Sequence, residues 1–284
     1  MSPGQPNPET TATPTLGSTD GWTLWLGGRV YIVTGAASGI GREAALRLTE
    51  LGASIVAVDL DRAGLDAVAK SAETIVPIAG DCTQQEVVDK SLGEAIGHFG
   101  RLDGLVSNVG VAVTGRLENL STESWFSSLS LNLSSHFIMT RSVLRHLGSQ
   151  NEGGSLVYIA SKNAYSPAAG FGAYSVAKAG LVQLARLAAI EGAAAGIRAN
   201  IVCPDNVFEG SHLWSDEIKT TRAREHNVDP EKLEEFYTQR NLLHTRISPH
   251  DVIRAIAFLL SDWSSKTTGC VLTVDGGLPA VFPR

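Results

Sequence analysis

Short apolar runs alternate with longer amphipathic stretches from Arg29 to near the C-terminus. The runs "RVYIVT", "SIVAVD", "TIVPIAG", "LDGLVSN", "SLVYIAS", "IRANIVCP" and "CVLTVDGG" are β-rich and show little in/out alternation. Strands of that kind suit a parallel sheet covered on both faces. Between them, "GREAALRLTELG", "RAGLDAVAKSAE", "QQEVVDKSLGEAIGHFG" and "PHDVIRAIAFLLS" have helical periodicity, the first closed by Gly52. One long helix is expected over "TESWFSSLSLNLSSHFIMTRSVLRHL", and another holds "AYSVAKAG". Strand–helix alternation along the whole chain predicts a single doubly wound α/β domain, taken as residues 27–284. The rhythm breaks between Asn206 and His250, a polar stretch with helical patches and aromatic residues. So long an excursion inside a compact domain is expected to be a lid or substrate loop.

Composition changes this picture mainly at the N-terminus. "MSPGQPNPETTATPTLGSTDG" is rich in Pro, Thr, Ser and Gly and has too little apolar surface to offset ordering. Residues 1–26 are therefore expected to form a flexible tail, with Trp22 and Trp25 as candidates for docking on the domain. The segment lacks the basic start and apolar stretch of a secretory signal. The three scattered cysteines do not suggest a disulfide framework, and a reducing cytoplasm fits them. No CxxC or histidine cluster has metal-ligand spacing. A net charge of −6, without a basic block, points away from nucleic acid. No run of eighteen apolar residues suggests a membrane span. The partner left to consider is a small molecule.

The turn "VTGAASGIG", Val33 to Gly41, leaves the first strand and enters the first helix. Gly35, Gly39 and Gly41 permit tight turning, and the turn's N–H groups, with Ser38 and Ile40, can hold a pyrophosphate. Asp59 closes the second strand, where a carboxylate can accept from both hydroxyls of an adenosine ribose. It would repel a 2′-phosphate, and neither Ala37 nor Ser38 supplies a cation for one. NAD is therefore expected over NADP; the bland alternative is that Asp59 caps the following helix.

Tyr174 and Lys178 lie one turn apart on one helix face. A phenol normally ionises near pH 10. A neighbouring ammonium is expected to lower that value and let Tyr174 exchange a proton with a substrate oxygen. Ser161 ends the fifth strand, where ligand crevices form, and can hold the same oxygen. Asn132 is an amide inside an apolar helix and needs a partner; a water reaching Lys178 is one candidate.

These residues, in this order, resemble the short-chain dehydrogenase/reductase family over about residues 28–284. The carriers are "TGAASGIG", "NVG" at Asn108–Gly110, "LN" at Leu131–Asn132, Ser161 and "YSVAK". The resemblance implies a seven-stranded Rossmann sheet, a homotetramer or dimer, and Asn132, Ser161, Tyr174 and Lys178 as a catalytic tetrad. It also implies adenine contacts from Asp81 and Cys82, with Asn108, Gly110, Pro204 and the Val207 main chain lining the cofactor. Lys178 would also hold the nicotinamide ribose. The chain departs from the family after the sixth strand. It reads "PDNVFEG", with Asp205 in place of Gly and Glu209 in place of a Thr that meets the carboxamide.

"SKNA", "PDNVFEGSHLW" and the terminal "AVFPR" resemble the dehydrogenase half of bacterial enzymes fused to rhamnulose-1-phosphate aldolase. A small hydroxylated aldehyde of the lactaldehyde type, or a related alcohol, polyol or deoxysugar, is the implied substrate. Asn163 and Trp214 are candidate substrate contacts, with Glu209 and His212 in the same loop. Lys162 is weighed as a solvated surface residue and Cys203 as a core residue. The alternatives are a reductase of acyl or steroid-like carbonyls and a catalytically silent cofactor-binding regulator. The apolar C-terminal "GGLPAVFPR" is expected to reach a neighbouring subunit.

Overall fold

The structure, a computed structural model, describes residues 24–282, so most of the expected tail, Trp22 included, lies outside the described residues. Seven parallel strands form one sheet: β1 (Val30–Thr34), β2 (Ser54–Asp59), β3 (Ile75–Ala79), β4 (Gly104–Ser107), β5 (Gly154–Ile159), β6 (Ile197–Pro204) and β7 (Val271–Val274). The helices are α1 (Gly39–Glu50), α2 (Arg62–Ala69), α3 (Gln85–Phe99), α4 (Thr122–Leu129), α5 (Ser135–Gln150), α6 (Gly172–Gly192), α7 (Asp216–His226), α8 (Leu233–Thr238) and α9 (Pro249–Leu260).

The period-2 pleat divides each strand between two cores. Tyr31 and Val33 of β1 pack with Leu48 of α1, Leu65 of α2 and Ile256 of α9 on one face. Val30 and Ile32 pack with Val88 of α3, Met139 of α5 and Leu181 of α6 on the other. Burial on both faces is why the strands read as continuous apolar runs. The sheet order is β3-β2-β1-β4-β5-β6-β7, so the chain reverses direction across the sheet between β1 and β4. A crevice at the C-terminal ends of the strands opens at such a switch point.

Packing on the domain begins before the expected boundary at residue 27. Leu26 is buried and its N–H donates to the Leu51 carbonyl at 2.9 Å. The Trp25 ring lies against Gly52, where an added Cβ would come within 2.4 Å of it.

The long helix expected after β4 is not uniform. It runs as α4, a π-helical turn over Ser130–Ser134, and α5. Within the expected substrate loop, α7 and α8 close around a small core of Trp214, Ala223, Leu233 and Tyr237. Trp214 stacks on Phe208 with ring centroids 4.2 Å apart. Among the described residues no helix is long and apolar enough to cross a membrane.

Candidate active site

The crevice opens between the turn after β1 and the turn after β4, and Asn108 joins them. Its side-chain amide donates to the Thr34 carbonyl at 3.1 Å and the Gly35 carbonyl at 3.3 Å, while its N–H donates to Thr34 Oγ1 at 3.0 Å. Gly35 has φ +67°, and a Cβ at Gly41 would lie 1.9 Å from the Gly35 carbonyl oxygen. Any larger residue at 41 would push the first turn of α1 away from the strand. Gly41 therefore shapes the cradle from behind; Gly35, Ser38, Gly39 and Ile40 line it. Ser38 is the N-cap residue of α1 but makes no side-chain cap bond, which leaves its hydroxyl free for a ligand at the helix N-terminus. The Gly39 N–H is held by the Gly210 carbonyl of the substrate loop at 2.9 Å, so that loop folds over the cradle.

Asp59 faces the same end. Its Oδ2 accepts from the Ala37 N–H at 2.9 Å and its Oδ1 from the Asp61 N–H at 3.0 Å. The side chain that caps α2 belongs to Asp61, which accepts from the Gly64 N–H. Capping is therefore not what Asp59 does; it braces the glycine turn and borders the crevice beside Asp81 and Cys82. Burial pushes the Cys82 thiol up to about 12, so it is neutral at physiological pH. An anion-ready helix start, a close-approach glycine turn and a carboxylate ending β2 fit an adenosine-bearing pyrophosphate.

Ser161, Tyr174 and Lys178 line the crevice together, and Asn132 sits behind them. Asn132 is completely buried in the π-helical turn. Its Nδ2 donates to the carbonyls of Val111 and Ser128, each at 3.0 Å, and its Oδ1 accepts from the Val111 N–H at 3.0 Å. The partner the amide needs is thus backbone from beyond β4. The wide turn is a site where a helix bulges, as such turns often are at functional positions.

Lys178 Nζ donates to the carbonyls of Ile159 at 3.0 Å and Val109 at 3.4 Å, and lies 5.8 Å from the centre of the Tyr174 ring. The Val109 carbonyl also meets His136 Nε2 at 2.9 Å. A carbonyl only accepts, so Nε2 carries the proton and Nδ1 accepts from the Ser107 hydroxyl at 2.6 Å. Burial, helped by the Lys178 charge, holds this histidine neutral.

The expected fall in the Tyr174 pKa is not what this environment produces. Burial pushes Tyr174 up to about 12, a hydrogen bond with Ser161 offsetting part of the rise. Burial likewise lowers Lys178 to about 7. Losing hydration disfavours either charged form, and here that outweighs the attraction between ammonium and phenolate. Cys203 is 1% exposed and its thiol is pushed up to about 12, as a core residue should be.

The substrate-side residues divide. Asn163, Trp214 and His212 line the crevice, whereas Glu209 faces a separate hollow with Lys219 and Arg246. Trp214 is both pocket wall and loop core. Gly110, Pro204 and Val207 border the crevice between the two ends. Lys162 is not a solvated surface residue: it is 8% exposed, lines the crevice, and burial lowers its pKa. Asn163 is equally buried, and its Oδ1 has no hydrogen-bond partner, an omission worth about 1–3 kcal/mol.

A family profile described as enoyl-(acyl carrier protein) reductase matches residues 35–279. The oxidoreductase YuxG of Bacillus subtilis (strain 168), described as uncharacterized, is 35% identical over 262 residues. The chain belongs to the short-chain dehydrogenase/reductase family. The YuxG match covers 90% of this chain but only 38% of YuxG, so the chain spans well under half the length of that relative. The Thauera aromatica (2S)-[(R)-hydroxy(phenyl)methyl]succinyl-CoA dehydrogenase subunit BbsD is 36% identical, over 88% of this chain and 96% of BbsD. Carveol dehydrogenase from Mycobacterium avium, solved in complex with NAD, superposes with a TM-score of 0.85 at 27% identity. It covers 90% of this chain and 99% of its own.

Two crevice residues were undervalued by the sequence reading. Lys162 directly follows Ser161, two residues beyond β5, and Asp205 directly follows β6; the rule that ligands bind at strand C-termini applies to both. Asp205, at a position where a short-chain dehydrogenase/reductase commonly has Gly, is 8% exposed, and its carboxyl is raised by burial.

Proposed function

We propose that the chain is an NAD-dependent oxidoreductase for a small hydroxylated aldehyde, alcohol, polyol or deoxysugar, with lactaldehyde-type substrates favoured. The observation that carries this is that Ser161, Tyr174 and buried Lys178 line one crevice with the glycine turn and Asp59. The bound dinucleotide supplies hydride chemistry. Tyr174 keeps its proton at neutral pH and delivers it to a carbonyl oxygen; in the reverse direction its phenolate form takes the proton from a substrate hydroxyl as hydride leaves. Ser161 donates a hydrogen bond to the same oxygen. Lys178 holds the Tyr174 side of the crevice and the nicotinamide ribose, and Asn132 fixes the Val111 backbone beside it. Asp59 accepts from the adenosine ribose hydroxyls and disfavours NADP. Asp81 and Cys82 border the adenine, and Asn108, Gly110, Pro204 and Val207 border the remainder. Asn163 and Trp214 face the substrate.

The greater length of YuxG fits a dehydrogenase domain that also occurs fused to another unit, as rhamnulose-1-phosphate aldolase fusions would require. The family profile and BbsD favour a second reading, a dehydrogenase or reductase of acyl substrates; buried Lys162 and Asp205 in the crevice speak against it. A cytoplasmic homo-oligomer is part of the proposal.

The test follows NADH absorbance over aldehydes, ketones, polyols and deoxysugars, with NAD compared against NADP. Turnover with NAD, and a loss of about 100-fold or more in Tyr174→Phe, is expected. Dinucleotide binding without turnover anywhere on the panel would leave the silent regulator instead.

A further inference from the structure

We propose that Lys162, Asp205 and Asn163 form a subsite that recognises a neutral hydroxyl group of the substrate, next to the carbon that reacts. The proposal rests on the oxidoreductase reading and specifies its substrate class. β5 and β6 pair with Ile159 opposite Val202. Lys162 opens the short 3-10 turn that follows β5, Asp205 directly follows β6, and both line the crevice at the ends of these neighbouring strands. The two influence each other's charge, yet neither forms an ion pair among the described residues. The Lys162 ammonium has no hydrogen-bond partner there either. The Asp205 carboxylate accepts from the side-chain amide of the neighbouring Asn206 at 2.7 Å. Beside them the buried Asn163 Oδ1 lacks any partner.

Of the charges nearby, Arg222 is committed to other partners and Arg240 stacks on the Tyr237 ring. Arg222 donates to the Ala169 carbonyl at 3.0 Å and the Tyr237 hydroxyl at 3.1 Å, and is ion-paired with Glu225. The balance of what remains decides the ligand. A carboxylate or phosphate substituent would suit Lys162 but would meet Asp205. An alkyl chain would bury both charges against carbon, which is costly. A hydroxyl accepts from the ammonium and donates to the carboxylate at once, so it satisfies both. A second, vicinal hydroxyl would find the Asn163 amide.

The experiment uses matched pairs that differ in hydroxyl content: lactaldehyde against propanal, and erythrulose against butan-2-one, each reduced with NADH. The wild-type enzyme is expected to prefer the hydroxylated member in kcat/KM by about tenfold to a hundredfold, the range for one hydrogen bond to a charged group. In Lys162→Met and in Asp205→Asn that preference should fall by about tenfold or more, through KM for the hydroxylated member. NADH affinity, followed by fluorescence titration, identifies any variant that has lost its fold. The outcomes separate the two claims. Turnover of both members of each pair without preference would overturn the subsite and keep the oxidoreductase. An equal loss on both members in both variants would do the same. No turnover of any member by wild type, with NADH bound, would overturn both.

Discussion

The Lys178 ammonium is held by two carbonyls and faces no carboxylate. Its folded pKa, about 7, is well below the ordinary lysine value, and burial is the main cause. Between about pH 7 and the unfolded value near 10 the unfolded chain therefore carries one more proton than the folded one. For this group stability rises with pH across that window, and below about 7 its cost is constant. In thermal melts without dinucleotide, wild type should gain on Lys178→Met as pH rises from 7 to 10; a constant difference in Tm would show that Lys178 is not desolvated as described. Tyr174 and Lys178 were legible from their spacing, because helical geometry fixes which side chains share a face. The direction of the tyrosine shift was not, because it depends on how much water the surrounding chain removes.

At the scale of elements, the segment Asp216–His226 shows why α7 escaped prediction. Only Arg222 and Ala223 are buried in it, so it carries no apolar stripe. It is held through the Arg222 contacts and the cluster around Trp214 rather than by its own pattern. Trp214→Ala should empty that cluster and, by the usual cost of removing a large aromatic, destabilise the loop by about 3–5 kcal/mol. Hydrogen exchange should then accelerate in α7 and α8 while the sheet stays protected, because the cluster is separate from the two main cores. Uniform acceleration across the domain would contradict this. The π-helical turn escaped for a related reason. "SLNLSS" keeps helical spacing, and the partner that widens it, Val111, lies 21 residues earlier in the chain.

At the scale of the molecule, several apolar side chains stand outside both cores. Phe126, Phe137, Val176, Leu187 and Ile190 on α4, α5 and α6 are each about half exposed or more. This accords with the proposed homo-oligomer, and light scattering at working concentration should report a dimer or tetramer; a monomer would remove that part of the proposal. The contribution expected from the C-terminus is more limited. Leu278 and Val281 bury within their own domain, and Phe282 is the half-exposed residue.

The sequence by itself determined the seven strands, the doubly wound class, the glycine turn, Asp59 and the Ser161, Tyr174 and Lys178 set. Each is written in local terms: periodicity, backbone freedom, or a position at the end of an apolar run. Tertiary structure alone decided that Lys162 is buried beside Asp205, that Asn132 bonds to Val111, and that burial governs the protons of Tyr174 and Lys178. Those outcomes depend on which distant segments meet and how much solvent they exclude, and no local pattern encodes either.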